Sequence, residues 1–201
     1  MGLGMAMNLQ KHLKSTKSRP LLYHNRTISR GDPLKEAGAI PAESPRALVQ
    51  NCDIVFLSLS DDEALTSTIE AIVSQDSGTS LEGKIIVDTT TVHPDTTDKV
   101  AELLSRAGAQ FVGAPVFGAS PVAAEGKLLW VIAGPAFAVQ AIEHFIVGVM
   151  GRGIIRAGDT PSKATLLKTA GCVTSHMYDT QYSDYNGSQQ CHHGQHDGGH
   201  R

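Results

Sequence analysis

Asp53-Ile54-Val55-Phe56-Leu57-Ser58-Leu59-Ser60-Asp61 is the stretch that decides the fold. Its apolar residues run on without alternation, so a strand here is covered on both faces. Directly after it, Asp61–Ser74 sets Leu65, Ile69 and Ile72 at helical spacing, with acids in the first turn. A buried strand feeding an amphipathic helix is the repeating half of a parallel α/β sheet. Working outward, the unit recurs. Upstream lie a short apolar strand, Pro20–Asn25, and two short helices, Pro33–Ala39 and Pro45–Asn51, the second with Ser44 placed to cap it. Downstream come a strand at Lys84–Thr89, a helix at Pro94–Ala107 and strands at Gln110–Val116 and Leu128–Gly134. A helix at Phe137–Val149 and a last strand at Gly153–Ala157 follow. The pattern predicts an α/β fold built on a doubly wound parallel sheet. Ligands of such sheets bind beyond the carboxyl ends of the strands. That directs attention to Asn25, Leu59–Asp61, Thr89–Thr91 and Pro115–Ala119.

Both ends of the chain differ from this body. Gly2-Leu3-Gly4-Met5-Ala6-Met7-Asn8-Leu9 reads as the start of a helix with no strand ahead of it. Ser162–Gly171 reads as the opening turns of a long helix carrying Lys168. After Cys172 the pattern stops, and Val173–Arg201 contains no Leu, Ile, Phe or Trp. The tail 174–201 lacks the apolar residues that offset ordering entropy and is expected to be disordered, foreign in character to what precedes it.

A length of 201 residues suits one domain with an appendage, and the net charge of −3 argues against a general nucleic-acid binder. Charge is unevenly spread. Residues 1–31 hold Lys11, Lys14, Lys17, Arg19, Arg26 and Arg30 and no acid, a local positive field suited to a phosphorylated ligand or simply a solvated helix face. Cys52, Cys172 and Cys191 form no spaced framework, as for free thiols in a reducing compartment. No apolar run spans a bilayer and no secretory signal is visible, so a cytoplasmic location is expected. Cys191, His192, His193 and His196 invite a metal reading, but nothing flanks them to fix a geometry, and no metal site is assigned.

Several positions suit chemistry. Gly2 and Gly4 at a helix start allow backbone amides to approach a phosphate, although with no strand ahead of them their spacing alone favours a frayed N-terminus. Asn25-Arg26-Thr27 follows a strand and offers an amide, a guanidinium and a hydroxyl without a carboxylate. In a dinucleotide fold this favours a 2′-phosphate over a free ribose hydroxyl; taken alone, the segment reads first as an ordinary polar turn. The hydroxyls of Thr89-Thr90-Thr91 suit either a ribose or the cap of the helix at Pro94. Gly113–Pro121 is a loop of small residues that permits close approach of a ligand. Lys168 is a candidate proton donor, although a lone helical lysine is more often solvated surface.

Together these segments resemble the β-hydroxyacid dehydrogenases, the family of 3-hydroxyisobutyrate dehydrogenase and glyoxylate/succinic semialdehyde reductase, related to 6-phosphogluconate dehydrogenase. The resemblance rests on Met1–Leu9, Tyr23–Thr27, Asp53–Asp61, Val87–Pro94, Ala114–Ala119 with Ala124–Leu128, and Lys168. It implies a Rossmann-like NADP-binding domain over 1–158 that lacks its first strand. It also implies the start of an interdomain helix over 159–173, with the family's C-terminal helical domain missing. By the same resemblance Gly2, Asn25, Arg26, Thr27, Leu59, Ser60 and Thr91 bind the cofactor. Phe117, Gly118 and Ala119 meet the substrate, and Lys168 is catalytic. The implied cofactor is NADP. The implied partner is a small hydroxy acid or aldehyde acid, with no nucleic acid and no membrane, in a family that is oligomeric. Two departures stand out: Phe117 replaces a substrate-binding serine, and Cys172 replaces an asparagine four residues after the lysine. The implied reaction is NADP-dependent hydride transfer. The competing expectation is a non-catalytic dinucleotide-binding remnant, and the chain as written is expected to be inactive.

Overall fold

The computed structural model of the chain describes residues 1–74 and 80–172. Met1–Lys168 form one compact unit. Of the second unit the described residues are Thr169–Cys172, which are helical. The tail 174–201, including Cys191 and its neighbouring histidines, lies outside the described residues.

The first unit opens with α1 (Gly2–Ser15), β1 (Leu22–Tyr23), a 3-10 turn at Ile28–Gly31 and α2 (Asp32–Glu36). β2 (Ile40–Pro41), α3 (Pro45–Asn51), β3 (Ile54–Leu57) and α4 (Asp62–Val73) follow. Beyond these come β4 (Ile85–Asp88), α5 (Pro94–Arg106), β5 (Gln110–Gly113), β6 (Val116–Phe117) and α6 (Ser120–Ala124). β7 (Leu128–Ala133), α7 (Ala136–Ile146) and β8 (Gly151–Gly158) complete the named elements, and residues 162–168 are helical. Ser44 caps α3 as expected, its Oγ accepting from the Ala47 amide at 3.1 Å, and Asp61, read as the first helical residue, caps α4 instead, its Oδ1 accepting from the Ala64 amide at 2.8 Å.

The strands form two sheets. β1 and β2 pair in parallel by themselves. The larger sheet runs β3-β4-β5-β7-β6, with β8 on the other side of β7. β3, β4 and β5 are mutually parallel, as are β7 and β8, whereas β7 runs antiparallel to β5 and β6. The sheet is therefore mixed rather than wholly parallel. Pro115 explains the change: the expected strand Gln110–Val116 divides there, because a proline donates nothing to a ladder. The chain then makes β6 and the single turn of α6 and returns as β7. That connection is too short for a parallel crossover.

Side chains alternate between two cores. Ile85 and Val87 of β4 join Met5, Leu9, Val139, Ile142 and Trp130 on the side of α1 and α7. Ile86, between them, joins Leu65, Ile69, Val100 and Leu104 on the side of α4 and α5. Helices thus cover both faces of the sheet, which is why its strands read as unbroken apolar runs.

Candidate functional site

The carboxyl ends of β1 and β3 and the start of α1 open on one cleft of about 1440 Å³. It lies between the two sheets, and its walls include Leu22 and Tyr23 from β1 and Ile54–Leu57 from β3. Gly2, Asn25, Arg26, Thr27, Leu59 and Ser60, six of the expected cofactor residues, line it. Thr91, Phe117, Gly118, Ala119 and Lys168 are not on its walls.

The start of α1 suits an anion. Met1 precedes it without a side-chain capping bond, and its first turn contains no acid. It sits close to the end of β3: a Cβ on Gly2 would lie 3.2 Å from Ser58 Cβ. Beyond β1, Asn25 Nδ2 donates to the Thr27 carbonyl at 2.6 Å, fixing the turn that presents Arg26. Asn25, Arg26 and Thr27 are exposed. Across the cleft, the Asp61 carboxyl is held below the usual carboxylate range. The Ser60 hydroxyl contributes most, the Ala64 amide next, and the Arg26 charge adds to them. Uncapped amides, a guanidinium and a cleft of this volume fit a dinucleotide phosphate.

A buried network ties the loop after β3 to the loop after β4. Thr90 Oγ1 donates to Asp88 Oδ1 at 2.6 Å, and the Thr90 amide donates to the same oxygen at 3.0 Å. Thr90 Oγ1 in turn accepts the Leu59 amide at 3.1 Å, while Thr89 Oγ1 donates to the Leu57 carbonyl at 2.7 Å. One turn on, the His93 amide donates to Asp62 Oδ1 at 2.9 Å. Burial pushes the Asp88 carboxyl up to about 7, against the lowering effect of the two Thr90 bonds. Hydroxyls of Thr89 and Thr90 are thus spent on protein groups rather than on helix capping. His93 caps α5 instead, its Nδ1 accepting from the Asp95 amide at 3.2 Å. Asp88 was missed by sequence reasoning, though a carboxylate closing an otherwise apolar strand was its signal.

The expected substrate residues gather elsewhere. Lys168 Nζ stands 4.2 Å from the centroid of the Phe117 ring. Phe117 packs beside Val131, Ala133 and Ala164. Next to it Gly118 has φ +132°, and a Cβ there would lie 2.8 Å from Leu128 Cδ2, so only glycine fits this turn. Gly118 and Ala119 are exposed; Thr91 is exposed beyond β4. Among the described residues no cluster of three or more His, Cys, Asp or Glu side chains is placed to hold a metal. No helix among them is long and apolar enough to cross a membrane.

A sheet with helices on both faces and an anion-suited helix start at its strand ends define a dinucleotide-binding α/β domain. Residues 1–158 match the NAD binding domain of 6-phosphogluconate dehydrogenase, and the chain belongs to that family. It is 32% identical over 173 residues to the NADH-dependent oxidoreductase ucdB of Aspergillus ustus, covering 85% of this chain and 56% of the relative. It is 34% identical over 166 residues to glyoxylate/succinic semialdehyde reductase 1 of Arabidopsis thaliana, covering 76% and 54%. Its fold is similar to that of Mycobacterium tuberculosis 3-hydroxyisobutyrate dehydrogenase. The TM-score there is 0.73 at 19% identity, over 85% of this chain and 55% of that one. The chain therefore spans about half the length of the relatives it matches.

Proposed function

We propose that the chain is the cofactor-binding part of an NADP-dependent oxidoreductase that acts on a small 3-hydroxy acid or aldehyde acid. The observation that carries this reading is the convergence of Gly2, Asn25–Thr27, Leu59 and Ser60 on one cleft at the strand ends. In this reading the α1 amides and Gly2 take the pyrophosphate, and Arg26 with Asn25 and Thr27 takes the 2′-phosphate. Leu59, Ser60 and Thr91 border the nicotinamide half. Bound there, the nicotinamide supplies or accepts a hydride. Lys168 carries the proton of the substrate hydroxyl, and the backbone at Gly118 and Ala119 seats the substrate carboxylate beside Phe117. The same reading divides the chain into a cofactor domain at 1–158, an interdomain helix from 159 to 173 and a tail, in a cytoplasmic protein.

Binding of NADPH and NADH, followed by nicotinamide fluorescence, tests the cofactor. NADPH is expected to bind more tightly. Arg26→Ala is expected to weaken NADPH alone, by roughly 1.5–3 kcal/mol, the range for a charge-assisted hydrogen bond. The relative from Aspergillus ustus carries NADH in its name, so the competing outcome is concrete: tighter NADH, or no effect of Arg26→Ala, rejects NADP.

A second reading is a dinucleotide-binding module without turnover. It is favoured by the separation of the cleft from the Lys168–Phe117 pair, which share no wall. NADPH oxidation with glyoxylate or succinic semialdehyde, by Met1–Arg201 alone and by Met1–Arg201 joined to the C-terminal half of glyoxylate/succinic semialdehyde reductase 1, decides between the two. Turnover that falls about 10²–10⁴-fold in Lys168→Ala supports the enzyme. Cofactor binding with no turnover in either form supports the module.

A further inference from the structure

Thr97 and Thr165 stand 68 positions apart in sequence, yet their hydroxyl oxygens meet at 2.9 Å inside the protein. Thr97 is 1% exposed and Thr165 2%. Thr97 belongs to α5, which follows the Thr89–His93 loop. Thr165 belongs to the helical residues 162–168 and precedes Lys168 by three positions, one turn along the same helix. Such a pair costs free energy to bury unless each hydroxyl finds a partner, and here each hydroxyl bonds the other. Thr97 Oγ1 is also within 3.4 Å of the His93 carbonyl, so the pair can order its two protons in one chain of bonds.

A second contact fixes the same helix. A Cβ on Gly113, at the end of β5, would lie 2.5 Å from the Pro161 carbonyl oxygen. The backbone just ahead of the helix therefore rests directly on the sheet. Two contacts determine where the helix begins and how it is rotated: Gly113 against Pro161, and Thr97 against Thr165. Rotation decides where the side chain one turn later points. That side chain is Lys168, whose ammonium sits over the Phe117 ring.

We propose that Thr97 and Thr165 are positioning residues that set the rotation of the 162–168 helix and so hold the Lys168 ammonium against Phe117. The inference rests on the reading of Lys168 as the proton-carrying group, but the placement itself is measurable without catalysis. The packing of Ala164 and the approach of the Pro161 carbonyl to Gly113 restrain the helix less specifically in rotation than a directional bond between side chains does.

The test is the NMR signal of the Lys168 ε-methylene in the full chain. A ring face shifts it upfield, and Phe117→Leu, which abolishes that shift, assigns it. Thr165→Val keeps the shape and removes the hydroxyl; the ε-methylene signal is expected to move to the position seen in Phe117→Leu. Thr165→Ser retains the hydroxyl and is expected to restore the wild-type position. Thr97→Val breaks the same bond from α5 and is expected to act like Thr165→Val. An unchanged Lys168 signal in both valine variants overturns the proposal. Loss of the folded spectrum in both valine variants also overturns it, since the pair would then hold the fold rather than the lysine. If the NMR pattern is as expected and neither Met1–Arg201 nor its joined form turns over, the positioning stands and the enzymatic reading fails.

Discussion

Asp88→Asn is expected to remove most of the fall in stability between about pH 4 and pH 7. The sign follows from burial. Asp88 is 3% exposed, and its carboxyl is pushed from 3.8 up to about 7 in the folded protein. Between those values the folded state holds a proton that the unfolded state has released, so stability falls as pH rises. The contribution is complete below the unfolded value and is gone above about pH 7. At about 1.4 kcal/mol per pH unit across about three units, the loss is of order 4 kcal/mol. The asparagine oxygen still accepts both Thr90 bonds, so the link from Thr90 to Leu59 persists without a buried charge. Asp61 and Asp62 work with the opposite sign, since hydrogen bonds from Ser60 and Thr96 respectively hold their carboxyls low, and their effect lies at the acid side of this window. Urea unfolding at pH 4.5, 6 and 8 measures the difference. A wild-type profile as flat as that of the variant would show that Asp88 ionises freely in the fold.

Trp130→Ala is expected to cost about 3–5 kcal/mol, the range for deleting a buried large aromatic. Trp130 has no exposure and meets Phe56 edge-on, with ring centres 6.1 Å apart and planes at 85°. Its ring fills the space above Gly151 so closely that a Cβ there would lie 2.5 Å from Trp130 Cδ1. Backbone of β8 at Gly151 walls part of the space and limits how far the neighbours collapse onto it. Domains have only about 5–15 kcal/mol of stability in total, so this one change removes a large part of it. Trp130→Phe is expected to cost much less. It keeps the aromatic contact and removes an Nε1–H that has no partner in the described residues. Far-UV circular dichroism in urea reads both variants, and a loss below about 1 kcal/mol in Trp130→Ala would contradict the packing described.

The alternation of buried strand and helix was legible because β3, β4 and β7 are apolar on both faces and α4 and α5 carry apolar residues at helical spacing. β2 was not legible. It is two residues, Ile40 and Pro41, and so short a segment has no period. β6 and α6 were concealed in a run of glycine, proline and alanine that suits a loop equally well. The cleft-lining residues at the strand ends followed from where such sheets bind ligands, so Asn25, Leu59 and Ser60 were reachable from the pattern. The roles of Thr89 and Thr90 were not, since a threonine after a strand serves a ribose, a cap or a neighbouring loop with the same local sequence. The Thr97–Thr165 pair left no local trace, because nothing in either segment specifies a partner 68 residues away.

The division of the strands into two sheets also bears on how these molecules meet one another. β1 and β3 each have one side with no strand partner among the described residues, and both sides face the same cleft. Unmatched amides and carbonyls along such a rim form a template that any extended segment can complete. A neighbouring molecule that has partly opened offers such a segment, with the same main-chain groups. Association by this route depends on backbone geometry, so a modest net charge of −3 gives little protection against it. In concentrated solution, clustering of the chain is expected to respond to what occupies those two rims more than to added salt.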